Sequence, residues 1–289
     1  MTRPESISVL MAARNSENTI EVAIMSCLKS MNRRDELLVF LDGCSDRTPS
    51  IVKAIKDSRI RVFESHVGIG RSAARNRLIE ESRGEFLAIQ DSDDISLPWR
   101  FLLSRSLLRK YDAVFGNGVI FGSRLRFLPF APLYPFVIRP DIAPLILTYR
   151  NPFIHSAAIF RKSLLSSELR YEEVPAEEYL LWIKLALKNA RMFRTRIPLV
   201  AYRLHSGQVS GAVTFASEVS GSAKIREAQD HLALKLIGGS MEFNEAFSRE
   251  EAVHVLRQKV HESSRFLRFE ETFLSAIRIV LGKFRNQSK

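Results

Sequence analysis

The chain has few of the features that mark secreted, disulfide-bonded or membrane-spanning proteins. Its 289 residues include only two cysteines, too few for a disulfide framework or a thiolate metal site. No apolar run approaches the roughly 20 residues that a membrane-spanning helix needs. The first residues also lack the basic and apolar segments of a signal peptide. We therefore expect a cytoplasmic protein that is not exported.

The composition is that of a globular protein with a strong positive charge. Hydrophobic residues make up 46% and charged residues 26% of the chain, which excludes wholesale disorder. The formal net charge of +11 favours an anionic partner. Phosphates of a small ligand, an anionic lipid surface and a nucleic acid would all satisfy this preference.

Apolar runs alternate with helical periodicity along the first 94 residues. The runs at 7–12, 36–41, 59–65 and 85–90 predict strands, and the segments between them predict helices. This alternation is typical of βαβ units and predicts an α/β fold with a mainly parallel, Rossmann-like sheet flanked by helices. From 111 to 160 the pattern loosens, which favours a second, mixed half.

The sequence IQDSDD (89–94) follows the fourth predicted strand. Its carboxylates, Asp91, Asp93 and Asp94, are hard oxygen ligands that suit Mg²⁺ or Mn²⁺ and can share the ion with a diphosphate. The alternative is a polar turn that only caps the helix after it. The motif alone does not decide between the two.

Further motifs occur in order along the chain: VLMAARN (9–15), LDGCSDRT (41–48), GRSAARN (70–76), EEYLLW (177–182) and YRLH (202–205). With IQDSDD, they resemble the motifs of the family 2 glycosyltransferases over about the first 210 residues. The sequence departs from the family pattern at Ala12 and Arg14, where Pro and an aromatic residue are usual, and at Leu41, which replaces an acid.

The resemblance implies a GT-A-like fold and a set of site residues. The expected metal ligands are Asp93, Asp91 and His205. Glu178 occupies the position of the family's catalytic aspartate, and Glu177 would orient it or bind the acceptor. Without the resemblance, both glutamates could simply favour a helix N-terminus. Residues expected to bind the nucleotide sugar are Ala13, Asn15, Asp42, Arg71, Arg75, Asp91, Ser92 and Arg203.

The reaction implied by the resemblance is an inverting, metal-assisted transfer of a sugar from a nucleoside-diphosphate sugar to an acceptor hydroxyl. The acceptor would be a saccharide or a lipid-linked saccharide, in a polysaccharide pathway at the inner face of a membrane. We expect a nucleotide-sugar-binding half in 1–94, an acceptor-binding and catalytic half of the same domain in 95–210, and a helical basic extension in 211–289.

Two other functional classes compete with this interpretation. The sequence GIGRSA (68–73) matches the dinucleotide fingerprint of NAD-binding oxidoreductases, although it follows the third predicted strand. A basic nucleic-acid-binding module would explain the charge, but the Lys and Arg residues are spread along the chain without a recognisable binding motif. Neither alternative explains the acidic motifs.

The extension contains a candidate amphipathic helix at 272–285. Phe273, Ile277 and Phe284 would share one side of it, and Lys283 and Arg285 would flank them. Such a face could pack on the catalytic domain, or it could lie on an anionic membrane. Both interpretations stay open.

Overall fold

The computed structural model describes residues 5–121, 137–204 and 215–238. Within these residues the strands are β1 (Ile7–Ala13), β2 (Glu36–Asp42), β3 (Ile60–Ser65), β4 (Phe86–Ile89), β5 (Ile95–Ser96), β6 (Ala113–Phe121), β7 (Ala158–Arg161) and β8 (Met192–Arg203). They form one sheet in the order β3-β2-β1-β4-β7-β6-β8-β5. The helices are α1 (Ile20–Ser30), α2 (Thr48–Ala54), α3 (Arg71–Glu81), α4 (Arg100–Leu108), α5 (Ala143–Leu147), α6 (Glu177–Leu187), α7 (Phe215–Gly221) and α8 (Ala223–Gly238).

The first four strands are parallel. β1 lies between β2 and β4, and β2 pairs with β3 at the edge of the sheet. Helices α1, α2 and α3 follow β1, β2 and β3 in the chain. This arrangement confirms the prediction of a mainly parallel α/β sheet flanked by helices.

Alternate residues of the central strands are buried on opposite faces of the sheet. Leu37 and Val39 pack in a core cluster with Ile24 of α1, whereas Leu38 and Phe40 pack in a second cluster with Leu78 of α3. Buried residues of α6 and α8 join the second cluster. A parallel strand covered on both faces reads as a continuous apolar run, as these strands do in the sequence.

The second half of the sheet is mixed. β7 pairs antiparallel with both β4 and β6, whereas β8 runs parallel to β6 and antiparallel to the short edge strand β5. The backbone N–H of Arg203, at the end of β8, donates to Asp94 Oδ1 at 2.8 Å. The acidic segment after β4 and the end of β8 therefore lie at the same edge of the sheet.

Part of the expected helical extension is present as α7 and α8. Helix α8 packs against α6, and Gln229 donates a 2.7 Å hydrogen bond to the hydroxyl of Tyr179. The candidate helix at 272–285 lies outside the described residues. Among the described helices, none has the length and hydropathy needed to cross a bilayer. The division of the chain at residues 94 and 210 stays a prediction.

Candidate active site

The acidic segment Asp91–Asp94 forms a tight turn directly after β4, with the Asp94 N–H donating to the Asp91 carbonyl at 3.3 Å. Asp94 is 1% exposed, and its carboxylate accepts hydrogen bonds from Ser156 Oγ and the Arg203 N–H. Burial, together with the negative charges of Asp91 and Asp93, raises the pKa of Asp94 well above its usual value. Because both of its oxygens are engaged inside the protein, Asp94 supports the turn from within.

Asp91 faces a cluster of basic side chains. Its Oδ1 atom lies 3.4 Å from Arg75 Nη2 and 3.6 Å from His155 Nδ1. Burial alone would raise the pKa of Asp91, but the interactions with His155 and Arg75 outweigh burial and lower the pKa to about 2. Asp91 is therefore ionised at any pH at which the protein would work.

Two arginines from the first turns of α3 converge on Glu177, the first residue of α6. Arg75 donates to Glu177 Oε1, and Arg71 Nε lies 3.0 Å from Glu177 Oε2. The Glu177 side chain is 2% exposed and that of Arg75 is 12% exposed. The pair therefore couples the helix that follows β3 to the helix that carries both candidate glutamates.

Glu178 occupies a different environment from its neighbour. It is half-buried, and Asn151 Nδ2 donates to its Oε1 at 3.4 Å. Burial raises the pKa of Glu178; the charge of His155 opposes this shift, whereas the Glu177 carboxylate adds to it. A carboxylate with a raised pKa and partial access to solvent can act as a general base.

The backbone before α6 adopts a conformation that non-glycine residues seldom use. Ala176 has φ of 52° and ψ of 55°, which is the left-handed helical region, and it is 5% exposed. Ala176 is the residue before α6, and consecutive side chains of a helix point about 100° apart, so the first two residues of α6 face different partners. Glu177 meets the arginines, and Glu178 meets Asn151.

His155 connects this cluster to the second, mixed half of the sheet. The imidazole lies in a short 3-10 turn (His155–Ala157), and its Nε2 atom is 3.0 Å from the hydroxyl of Tyr171. Burial raises the pKa of Tyr171, so its hydroxyl keeps its proton. The other ring nitrogen of His155, Nδ1, faces Asp91 Oδ1, so the imidazole lies between Tyr171 and the acidic turn.

The residues expected near the nucleotide lie along the same edge of the sheet. Asp42, at the end of β2, accepts backbone hydrogen bonds from Ile69 at 2.7 Å and Gly70 at 3.1 Å. Asn15, with φ of 48°, accepts from the Ser45 N–H at 2.8 Å. Both side chains therefore fix loops that surround the expected pocket, and their contacts with a nucleotide stay predictions.

The other expected ligand-binding residues flank the acidic turn. Ser92 Oγ lies 2.8 Å from Ser16 Oγ, and Arg203 Nε donates to the Asp93 carbonyl at 2.7 Å. Ala13, at the end of β1, is 2% exposed, and its carbonyl accepts a hydrogen bond from Cys44 Sγ at 3.5 Å. His205 lies outside the described residues. Their roles stay predictions.

Sequence reasoning missed His155, Tyr171 and Asn151. Each lies outside the strands and α-helices. Asn151 contacts Glu178, His155 contacts Asp91 and Tyr171 contacts His155, so each contact joins residues that are not neighbours in the chain. The only signal in the sequence is the presence of three polar residues, Asn151, His155 and Ser156, in the otherwise apolar run NPFIHSAAIF (151–160). That signal is too weak to distinguish a site residue from an ordinary loop residue.

Comparison with known proteins identifies the family. Residues 8–167 match the sequence profile described as Glycosyl transferase family 2. The chain is 29% identical over 189 residues to the Escherichia coli UDP-Glc:alpha-D-GlcNAc-diphosphoundecaprenol beta-1,3-glucosyltransferase WfgD, covering 63% of this chain and 70% of that protein. It is 28% identical over 284 residues to the succinoglycan biosynthesis protein ExoO of Rhizobium meliloti, covering 93% of this chain and 75% of that protein.

Solved structures share the fold at lower sequence identity. Staphylococcus aureus TarS 1–349 in complex with UDP-GlcNAc superposes with a TM-score of 0.62 at 20% identity, covering 90% of this chain and 74% of that chain. The mannosyltransferase PcManGT of Pyrobaculum calidifontis, in complex with GDP-Man and Mn²⁺, gives a TM-score of 0.54 at 14% identity, covering 97% and 82% of the two chains. The chain belongs to glycosyl transferase family 2 and is a glycosyltransferase with a GT-A-like fold.

Proposed function

We propose that the enzyme transfers a hexose from a UDP-sugar to a hydroxyl of a lipid-linked saccharide, with inversion at the anomeric carbon. The proposal rests on one observation: the acidic turn, the α3 arginines and Glu178 lie close together at one edge of the sheet. WfgD and ExoO support a role in polysaccharide assembly, since the name of WfgD specifies UDP-glucose and a diphosphoundecaprenol-linked acceptor and that of ExoO specifies succinoglycan.

Asp91 and Asp93 are the proposed ligands of Mg²⁺ or Mn²⁺. The described residues contain no group of three or more His, Cys, Asp or Glu side chains placed to hold a metal. Mg²⁺ sites that also engage substrate phosphates need only one or two carboxylates, and Asp91 is held ionised by its basic neighbours, so the side chains fit. His205 would be a further ligand. When bound, the ion would offset the charge of the departing diphosphate.

In the proposed reaction Glu178 acts as the general base. The acceptor hydroxyl loses its proton to the Glu178 carboxylate as its oxygen forms a bond to the anomeric carbon. The bond from that carbon to the β-phosphate oxygen breaks at the same time, and the electron pair leaves with the nucleoside diphosphate. Arg71, which contacts Glu177, and Arg203, which contacts the Asp93 carbonyl, would bind the phosphates.

The substitution Glu178→Gln tests this role. The amide keeps the shape of the side chain but cannot accept the proton, so we expect turnover to fall by about 100-fold or more while calorimetry shows unchanged affinity for the donor. Glu85→Gln is the matched control. Glu85, the residue before β4, is an exposed carboxylate that pairs with Arg161 of β7. Turnover of Glu178→Gln within about twofold of the wild type would refute the assignment.

The dinucleotide and nucleic-acid alternatives are not retained. The GIGRSA loop follows the edge strand β3, and the N–H groups of Ile69 and Gly70 that would face a pyrophosphate instead bind the Asp42 carboxylate. Membership of the glycosyltransferase family accounts for the acidic motifs that a nucleic-acid-binding module would leave unexplained.

We also propose that the enzyme meets its acceptor at an anionic membrane surface. The net charge of +11 and the lipid-linked acceptor in the name of WfgD support this location. Sedimentation with phosphatidylglycerol vesicles should pellet the full chain at low salt, and truncation before Glu270 should weaken that binding. Equal pelleting of both forms would instead favour the interpretation that the candidate helix at 272–285 packs on the catalytic domain.

A further inference from the structure

Two buried polar side chains lie directly behind the acidic turn and take no part in the reaction proposed above. Gln90 is the residue before the turn and is 1% exposed, and Arg100 is the first residue of α4 and is 0% exposed. Burying an arginine costs free energy unless its charge and donors are satisfied. The contacts that these two side chains make must therefore offset the cost of burying them.

The two side chains form a continuous set of hydrogen bonds to the turn. Arg100 Nη1 donates to Gln90 Oε1 at 2.6 Å, and Nη2 donates to the Ile89 carbonyl at 2.6 Å. Gln90 Nε2 then donates to the carbonyls of Asp91 and Asp94, each at 3.0 Å. Arg100 therefore fixes which end of the Gln90 amide faces the turn, and one amide group holds both ends of it.

The charge of Arg100 also acts on the turn. Burial lowers the pKa of Arg100 to about 10, while the negative charges of Asp94 and Asp91 act in the opposite direction. At neutral pH the guanidinium is therefore still charged, and no carboxylate is bonded to it among the described residues. Its positive charge partly offsets the negative charges that the turn gathers in a small volume.

We propose that Gln90 and Arg100 are positioning residues that hold the acidic turn in the shape that binds the donor's diphosphate together with a divalent cation. The inference rests on the proposed function. Groups that orient metal ligands through hydrogen bonds commonly change metal affinity by about 10- to 100-fold when they are replaced. The backbone carbonyls held by Gln90 belong to Asp91 and Asp94, so the carboxylates of the turn are oriented through the main chain.

The substitution Gln90→Met tests the proposal, because methionine keeps the length and volume of the side chain but makes none of its three hydrogen bonds. Calorimetry would measure UDP affinity with and without MnCl₂, and UDP-sugar kinetics would give the KM of donor and acceptor separately. We expect Mn²⁺-dependent UDP affinity to fall by about tenfold or more and the donor KM to rise, with metal-free UDP affinity and acceptor KM unchanged. Loss of overall structure would instead change all four quantities.

Two further variants sharpen the test. Ser104→Ala is the matched control, since Ser104 is buried in α4 and donates to the Arg100 carbonyl at 2.8 Å without touching the turn. It should leave the Mn²⁺-dependent affinity unchanged. Arg100→Lys keeps the charge but loses the two-pronged contact with Gln90 and Ile89, so it should weaken this affinity less than Gln90→Met does.

Three outcomes would overturn the proposal. The first is a folded Gln90→Met protein whose Mn²⁺-dependent UDP affinity lies within about twofold of the wild type. The second is an equal loss in Ser104→Ala, which would indicate general loosening of α4. The third is wild-type protein that binds none of UDP, GDP and dTDP more tightly with Mn²⁺, which would refute the proposed donor chemistry as well as the role of the pair.

Discussion

Replacing Glu177 by glutamine separates a structural carboxylate from a catalytic one. Glu177 is 2% exposed and lies between Arg75 and Arg71, whereas Glu178 faces Asn151. The substitution Glu177→Gln keeps the shape of the side chain but removes its charge from the two guanidinium groups. We therefore expect its main effect to be on the stability of the fold.

The size of the effect follows from the burial of the two partners. The Arg71 side chain is 41% exposed, so its pair with Glu177 is screened by solvent and contributes at most about 1 kcal/mol. The Arg75 side chain is only 12% exposed, and removing one partner of a buried ion pair costs about 3–5 kcal/mol. Asp91, at 3.4 Å, still compensates part of the Arg75 charge. We therefore expect a loss near the low end, about 3 kcal/mol.

Thermal unfolding would measure this loss. For a domain of this size about 3 kcal/mol corresponds to a Tm lower by roughly 6–12 °C. Glu178→Gln, on the same turn of α6, should unfold within about 2 °C of the wild type because no arginine among the described residues forms an ion pair with Glu178. A Glu177→Gln protein with wild-type Tm and the large turnover loss assigned to Glu178→Gln would refute the reasoning. It would make Glu177 the base.

Two further predictions concern the pH profile and the backbone before α6. Burial raises the pKa of Glu178, and a general base works only when it is deprotonated. As the pH decreases, turnover should therefore fall with a midpoint above about 4.3, the pKa of an exposed glutamate. A kcat–pH profile with its acidic midpoint at or below that value would contradict the assignment. Ala176→Gly should raise the free energy of unfolding by up to about 1 kcal/mol, because glycine adopts the φ of 52° without steric cost. Urea unfolding would measure this change, and a loss of more than about 1 kcal/mol would show that the alanine methyl group matters more than the backbone conformation.

The regular part of the fold could be predicted because its signals are local. The runs that became β1, β2 and β4 are apolar on both faces, and each is followed by polar residues or by a helical pattern. The resemblance to the family motifs implies that Asp91 and Glu178 belong to one site, and their roles there stay predictions. Motif order carries this information because each motif comes at the end of a strand or at the start of a helix.

The supporting residues of the site could not be predicted, because their environments arise from contacts across the sheet. Arg100 is the first residue of α4 and follows Pro98 and Trp99, a position at which an arginine side chain is usually exposed to solvent. Its side chain is nevertheless completely buried, because of how α4 packs on the rest of the domain. His155 reaches Asp91 from a turn that adjoins β7. No short-range periodicity distinguishes either residue from its surface counterparts.

The GIGRSA loop shows why a phosphate-binding pattern in a sequence does not identify its occupant. The glycines predict a tight loop whose N–H groups point together, and the structure has such a loop at the start of α3, with φ of 88° at Gly70. The anion that these groups bind is the side chain of Asp42, at 2.7 Å and 3.1 Å. Because that carboxylate comes from the neighbouring strand, the pattern serves to join β2 to α3. The charge of the chain's own aspartate then disfavours a phosphate at the same place. This favours the proposed site for the anionic donor, along the edge where Arg71, Arg75 and the acidic turn meet.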